Sequence, residues 1–568
     1  MTRFRTSRLR RLAALGAAGV VTLTVAACAE SERDGEGSGG ESSSGGSGQT
    51  GGTFTFGAAG APEVFDPFYA TDGETFRVSR QIYEGLVGFT PGTADIEPEL
   101  ATEYTQSEDG LEWTFTLQEG VTFHDGTEFN AEAVCANFER WYNQTGAGQS
   151  SAVSAYWIDN FGGFADGADP SLYESCTASD PTTAVVRITR YTSKFPAVLG
   201  LPSFSMQSPA ALEQYDANNV QAQGDSFVYP SYALEHPTGT GPFRFGSYDQ
   251  ANGTVELTRN DEYWGEAPSI ERLIFRIIPD ETARRQALEA GEIDGYDLSN
   301  PADWQSLRDA GFNLQIRDPF NIFYVGVTQQ NNPALRDLRV RQALAHAIDR
   351  ETLVSSSLPD GAEVARNFYP ETVDGWTDES QEYPYDPERA RQLLAEAGQS
   401  NLTVTFYWPT EVTRPYMPDP QSLFGAISED LQEVGITVNP VSKPWNGGYL
   451  DDVDNRLADL FFLGWTGDYN TPDNFLGSFF SDPENRFSIK DSTYAEQLPA
   501  ELQAADSEPD EATRTRLYEE LNQRLLAEYL PAIPISHSPP AIVVSEEVQG
   551  LTPSPLTAEE FATVSVGG

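Results

Sequence analysis

Leu460-Phe461-Phe462-Leu463 is a run of four apolar residues bounded by turn formers. Such a run reads as a buried strand, so the chain around it must supply cover. Two glycines, Gly464 and Gly467, with Asn470 and Pro472, then end it. The expected course is a loop that carries Trp465 and one carboxylate, Asp468, just beyond the carboxyl end of the strand. Open sheets bind ligands at that end of their strands. A single acid beside an indole and permissive glycine backbone suits a small cationic group, such as an ammonium, better than bond-breaking chemistry. An ordinary turn with a solvated aspartate is the alternative on spacing alone.

The rest of the body interleaves strand and helix signatures. Thr53-Phe54-Thr55-Phe56 alternates, as do Leu111 to Leu117 after the Asp109-Gly110 turn and Arg272 to Pro279. Asn130 to Tyr142 has apolar residues at helical spacing, and Ala283 to Gly291 is a helix stopped by glycine. Pro333 to Leu353 shows one apolar helical face of Val340, Ala343, Leu344, Ala347 and Ile348, with arginines on the other. Asp386-Pro387 starts a helix as N-cap and first-turn proline, and Gly398 ends it. Leu402 to Trp408 is a strand whose exit carries Arg414. Leu423 to Val434 is a helix that stops at Gly435, and a final helix, Glu511 to Leu530, leads to the strand-like Ala532 to Ile535. This interleaving predicts an α/β architecture.

The 568 residues suffice for two or three domains with a real core. A formal charge of -51, with 35 Lys+Arg against 86 Asp+Glu, excludes nucleic acid as a partner, because a phosphate polyanion would be repelled. An acidic, solvated surface with no bearing on the ligand is the plainest reading of that charge.

Residues 1–28 read as an export signal, with Arg3, Arg5, Arg8, Arg10 and Arg11 before the apolar Leu12 to Ala27. That apolar run is short for a membrane span. Residues 29–52 are almost wholly Ser, Gly, Glu, Asp and Gln, a composition that forms a flexible tether. Export places the remaining cysteines, Cys135 and Cys176, in an oxidising space, where a disulfide between them is expected; two buried thiols are the alternative.

Several stretches resemble one family. Val25-Ala26-Ala27-Cys28 resembles the lipobox of bacterial lipoproteins, which implies acylation of Cys28 and a lipid anchor in the membrane. Gln81-Ile82-Tyr83-Glu84-Gly85-Leu86-Val87, Gly120-Val121-Thr122-Phe123-His124-Asp125-Gly126, His236-Pro237-Thr238-Gly239-Thr240-Gly241 and Glu292-Ile293-Asp294 resemble the bacterial extracellular solute-binding proteins of family 5, the peptide and nickel receptors of ABC importers. The Gly464-Trp465-Thr466-Gly467-Asp468 segment is similar to that of the dipeptide binders in this family. The resemblance implies a periplasmic-binding-protein type II fold with two large lobes and an inserted domain. Its limits here would be 53–98, 236–318 and 536–568 for lobe I, 99–235 for the inserted domain and 319–535 for lobe III. It implies a monomer that delivers cargo to permease subunits and needs neither cofactor nor metal. Asp468 would pair with the α-ammonium of a bound peptide, and Arg414, in Thr413-Arg414-Pro415-Tyr416, with its carboxylate. Trp465 and Tyr416 would be walls, Gly467 part of the binding loop, and Thr75, in Asp72 to Thr75, a contact from the first lobe. Trp445 is read as a core residue, with a further wall of the site as the alternative, and His124 and His346 as structural ones.

No His-Glu-x-x-His, Gly-x-Ser-x-Gly, Cys-x-x-Cys or P-loop pattern occurs, and the four histidines are far apart in sequence. A secreted hydrolase is therefore the remote alternative. The nearer one keeps the receptor and changes the cargo to an oligopeptide, haem, a nickel chelate or an oligosaccharide.

Overall fold

The computed structural model describes residues 51–567 apart from Asp225; the export signal, Cys28 and nearly all of the tether lie outside them. Two large sheets and one small one organise the chain. The first is mixed and seven-stranded, in the order Phe243–Asp249, Thr254–Arg259, Arg272–Ile277, Thr53–Ala58, Gly295–Asp297, Ala541–Val544, Asn313–Ile316. Its central strand, Thr53–Ala58, runs parallel to both neighbours. The alternation that marked this strand puts Phe54 and Phe56 in the core, where their rings lie 5.3 and 5.2 Å from that of Phe561 near the carboxyl terminus.

The second sheet has six strands, in the order Glu363–Val364, Ala532–His537, Asn321–Val327, Leu460–Thr466, Thr403–Thr410, Thr437–Pro444. Asn321–Val327 is buried along its whole length, and Leu460 to Leu463 are buried as expected. The strand Leu460–Thr466 continues three residues beyond the apolar run, because Gly464, Trp465 and Thr466 still pair with Phe323, Ile322 and Asn321. Thr403–Thr410 lies between Leu460–Thr466 and Thr437–Pro444 and is parallel to both. Three carboxyl ends therefore emerge side by side.

The third sheet is antiparallel and four-stranded, formed by Ala101–Gln106, Glu112–Leu117, Thr183–Ile188 and Tyr173–Asp180. The helix Ala131–Tyr142, capped by the Asn130 side chain, packs on it. A disulfide joins Cys135 on that helix to Cys176 on the sheet, with Cα atoms 5.2 Å apart. The core of this region also draws on Val64, Phe68, Phe76 and Leu86, upstream of its sheet, and on Tyr469.

The chain crosses between the two large sheets twice, at 317–320 and 538–540, and the crossings are tied together. Arg317 N–H donates to the Pro540 carbonyl at 2.9 Å, and the Asn321 amide exchanges hydrogen bonds with the backbone of Ser538. Beside them four buried charges meet. Asp297 accepts from Arg77 at 2.6 Å and Arg317 at 2.5 Å, and Arg317 also pairs with Glu559 at 2.6 Å. The strand Ala532–His537 belongs wholly to the six-stranded sheet, so the expected border at 535/536 falls inside a strand.

The helical face expected over Pro333 to Leu353 is three pieces: a 3-10 turn at Pro333–Arg336 and helices at Leu338–Ala347 and Arg350–Ser357. Ile348 is extended, and Asp349 caps the second helix through Thr352 N–H. Arg341 is not on a solvent face; it is buried, and its guanidinium donates to the carbonyls of Leu335 and Tyr529. The final helix is Glu511–Arg524, followed by a wider turn to Leu530, whose φ of 42° ends it.

Candidate ligand-binding site

The three parallel strand ends define the site. Beyond Thr410 comes the Arg414 loop, Trp445 follows directly on Pro444, and Asp468 lies two residues past Thr466. Each of these functional candidates is thus placed by the same sheet edge.

The Asp468 loop is held by a helix that the sequence reading missed. Pro472 does more than end the strand: it stands at the first position of the helix Pro472–Phe480, where a proline costs nothing because no N–H is needed. Asn474 in that first turn accepts from Asp468 N–H at 2.8 Å and from Trp465 Nε1 at 3.2 Å. Gly467 is required by close approach: a Cβ there would stand 2.2 Å from the Phe320 ring and 2.8 Å from that of Phe475. Gly464 is equally constrained, since its Cβ would meet the Ile322 carbonyl at 2.2 Å and the Tyr416 ring at 2.4 Å. Tyr416 is buried over this glycine, where burial pushes its phenol up.

Asp468 meets the region of the four-stranded sheet. Tyr156 OH donates to its Oδ2 at 3.4 Å. Burial pushes its carboxyl up to about 6, against the pull of the nearby Arg80 guanidinium and of hydrogen bonds from Tyr156 and Asn474. No basic group stands within 4.0 Å of it among the described residues, so this carboxylate has no ion-pair partner from them.

Arg414 is presented in the same way. Its backbone pairs with Met417 in a tight turn, with bonds of 3.2 and 2.9 Å. Its guanidinium lies 4.5 Å over the ring of Trp445, and its Nε is buried with no hydrogen-bond partner. Trp445 packs against the core on Tyr449 and is at the same time the platform for Arg414. A planar cation stacked on an indole keeps its charge and leaves its outer N–H groups free for a carboxylate.

Thr75 takes another place. It is fully buried, its hydroxyl donates to Asp72 at 2.6 Å and accepts from Glu63 N–H at 3.0 Å, and Asp72 caps the helix Gly73–Ile82. His124 is structural as expected: it bonds the Gly241 carbonyl at 2.9 Å, and burial lowers it to about 4.

Around the site the two sides of the cleft touch through polar pairs that lie far apart in sequence. Lys194 reaches Asp473 at 2.6 Å, Thr192 donates to Asp506 at 2.8 Å, Tyr469 to Asn160 at 3.4 Å, and Asn470 to Asp95 at 3.1 Å. The cleft is thus closed. Among the described residues no group of acids, histidines or cysteines is arranged to hold a metal ion.

This arrangement of two large sheets, two crossings and a closed cleft is the α/β fold of type II periplasmic binding proteins. The family model of bacterial extracellular solute-binding proteins, family 5, middle region, matches residues 95–487. The chain belongs to this family of extracellular solute-binding proteins. It is 31% identical to the dipeptide-binding protein of Escherichia coli K12, over 90% of this chain and 94% of that one. Heme-binding protein A of Haemophilus influenzae is also 31% identical, over 91% and 92%. Among solved structures, a dipeptide binding protein from Pseudoalteromonas sp. SM9913 in complex with Met-Leu superposes with a TM-score of 0.77 at 25% identity, covering 91% of this chain and all of that one. No helix of the described residues is long and apolar enough to cross a membrane.

Proposed function

We propose that this receptor captures dipeptides, or peptides little longer, and hands them to the permease of an ABC importer. Asp468 takes the α-ammonium and Arg414 the carboxylate, with Trp465, Tyr416 and Gly467 shaping the wall between them. The observation that carries this is a pair of opposite charges left without partners on neighbouring strand ends of one sheet. Buried charges are costly unless paired, and a zwitterion of the right length pairs both. A longer peptide misplaces its carboxylate, so two charges at fixed separation read length as well as sign. The lobes, with limits near those expected from sequence, close over the cargo by bending at the paired crossings. Acylation at Cys28 and the tether hold the monomer at the outer face of the cell membrane.

The test is calorimetric titration of protein unfolded and refolded to strip carried-over ligand. Ala-Ala binds, amidated Ala-Ala binds far more weakly, and Asp468→Ala and Arg414→Ala each lose affinity by a hundredfold or more, about 3 to 5 kcal/mol. Binding of pentapeptides that depends on Asp468 alone makes this an oligopeptide receptor. The similarity to Heme-binding protein A makes hemin the other ligand to titrate; heat with hemin and none with peptides overturns the peptide reading.

A further inference from the structure

In a chain with 86 acids and 35 lysines and arginines, an unpaired cation is the exception. All three lysines are in ion pairs. Among the described residues three arginine side chains make neither an ion pair within 4.0 Å nor a hydrogen bond with another described residue: Arg80, Arg308 and Arg414. Arg308 is exposed at a helix end. Arg414 is the proposed carboxylate partner. Arg80 remains, and it faces the same cleft.

Arg80 stands in the last turn of the helix Gly73–Ile82, largely buried. Its guanidinium lies 5.9 Å from the Phe76 ring, which packs edge-on against Tyr156 at 5.2 Å, and the Tyr156 hydroxyl donates to Asp468. Arg80 therefore stands beside the proposed ammonium site, on the opposite lobe. The acids behind it are engaged elsewhere or stand beyond ion-pair reach. Glu559 belongs to Arg317 and Arg77, and Glu84 is held by Thr240, Tyr263 and Trp264. Glu99 and Glu560 line the crevice that Arg80 borders, but neither stands within 4.0 Å of its guanidinium.

At the proposed site, two guanidiniums and one carboxylate thus stand without an ion pair within 4.0 Å among the described residues. A neutral dipeptide, with one ammonium and one carboxylate, leaves a guanidinium unmatched. Resting on the dipeptide reading above, we propose that Arg80 is a specificity-determining residue that receives the side-chain carboxylate of an acidic first residue, so that the preferred cargo is a dipeptide beginning with Glu or Asp. The first side chain leaves the same carbon as the ammonium, which puts its carboxylate on the Arg80 side of Asp468. A guanidinium and a carboxylate there form a charge-assisted pair inside a closed site, where such bonds are strong.

The experiment titrates Glu-Ala and its neutral isostere Gln-Ala into the whole refolded protein, Arg80→Gln and Arg80→Lys. Wild type binds Glu-Ala about tenfold or more tighter than Gln-Ala. The ratio falls to within about twofold in Arg80→Gln and is largely kept in Arg80→Lys, which retains the charge. Equal binding of the two peptides by wild type, or a preference that survives Arg80→Gln, overturns the assignment and leaves the dipeptide reading intact. No binding of either peptide, or of Ala-Ala, overturns both. If Arg80→Gln fails to fold, the wild-type ratio and Arg80→Lys still decide: a ratio near one in either removes the role of Arg80.

Discussion

Two regions of this molecule bury charge, and they do it in opposite ways. At the crossings between the large sheets, Arg77, Asp297, Arg317 and Glu559 neutralise one another, and the two arginines hold Asp297 well below the usual carboxylate range. In the cleft, Asp468 and Arg414 on neighbouring strand ends and Arg80 on the helix Gly73–Ile82 have no ion-pair partner among the described residues, and Asp468 is held above that range. The first group is satisfied by the fold and belongs to stability. The second is unsatisfied by the fold and awaits something from solution.

Substitution at the crossings should have the largest effect on folding. Arg317→Met leaves Asp297 and Glu559 to share Arg77 alone, at 2.6 and 3.6 Å, in a buried site, and loss of one partner from a buried pair costs about 3 to 5 kcal/mol. Chemical denaturation of the refolded protein measures it. A cost near zero would make the two regions alike and would remove the contrast.

Asp468→Asn should do the reverse for folding while weakening binding. A carboxyl raised by burial holds its proton more tightly folded than unfolded, so ionisation opposes folding as pH rises from about 4, where it titrates in an unfolded chain, to about 6. The variant is therefore more stable than wild type at pH 7, and the difference fades toward pH 4. Dipeptide affinity falls by about ten- to a hundredfold, the worth of a charge-assisted bond. A variant that is less stable at pH 7 would place Asp468 with the satisfied charges.

Much of this was legible in sequence and some was not, for physical reasons. The strand at Leu460, the helical spacing up to Tyr142, the cap at Asp386 and the glycine stops at Gly398 and Gly435 are local signals, and the structure has them all. The break at Ile348 was hidden because the apolar spacing runs on across it. Arg341 was misplaced because a guanidinium that finds two carbonyls is buried without any local mark. Pro472 carries two meanings, and only the tertiary course chooses between breaker and first helical residue. Arg77 and Arg80 look alike in the sequence; that one meets Asp297, 220 residues on, and the other meets nothing is a property of the fold.

Acidification sharpens the comparison further. The ammonium binds the ionised carboxylate, so below about pH 6 the free protein must first release a proton from Asp468. Dipeptide affinity should be greatest near pH 7, ease by about twofold at pH 8 as the peptide's own α-amino group loses its proton, and fall by up to about tenfold per unit below 6. Arg80, Tyr156 and Asn474 face this carboxyl, and none of them changes charge in that range. The fall should vanish in Asp468→Asn.

The smallest effect is expected at Tyr156. Its hydroxyl donates to Asp468 Oδ2 at 3.4 Å, a long bond that favours the charged carboxylate. Tyr156→Phe removes that donor and leaves the ring against Phe76. Asp468 then rises further, and the pH below which affinity falls should move upward by less than one unit, with affinity at pH 8 lowered by no more than about 0.5 to 1.5 kcal/mol. Calorimetry across the pH series reads both. A midpoint that moves downward would mean that the hydroxyl serves the protonated acid and not the anion, and the carboxylate would then be prepared for a neutral donor and not for an ammonium.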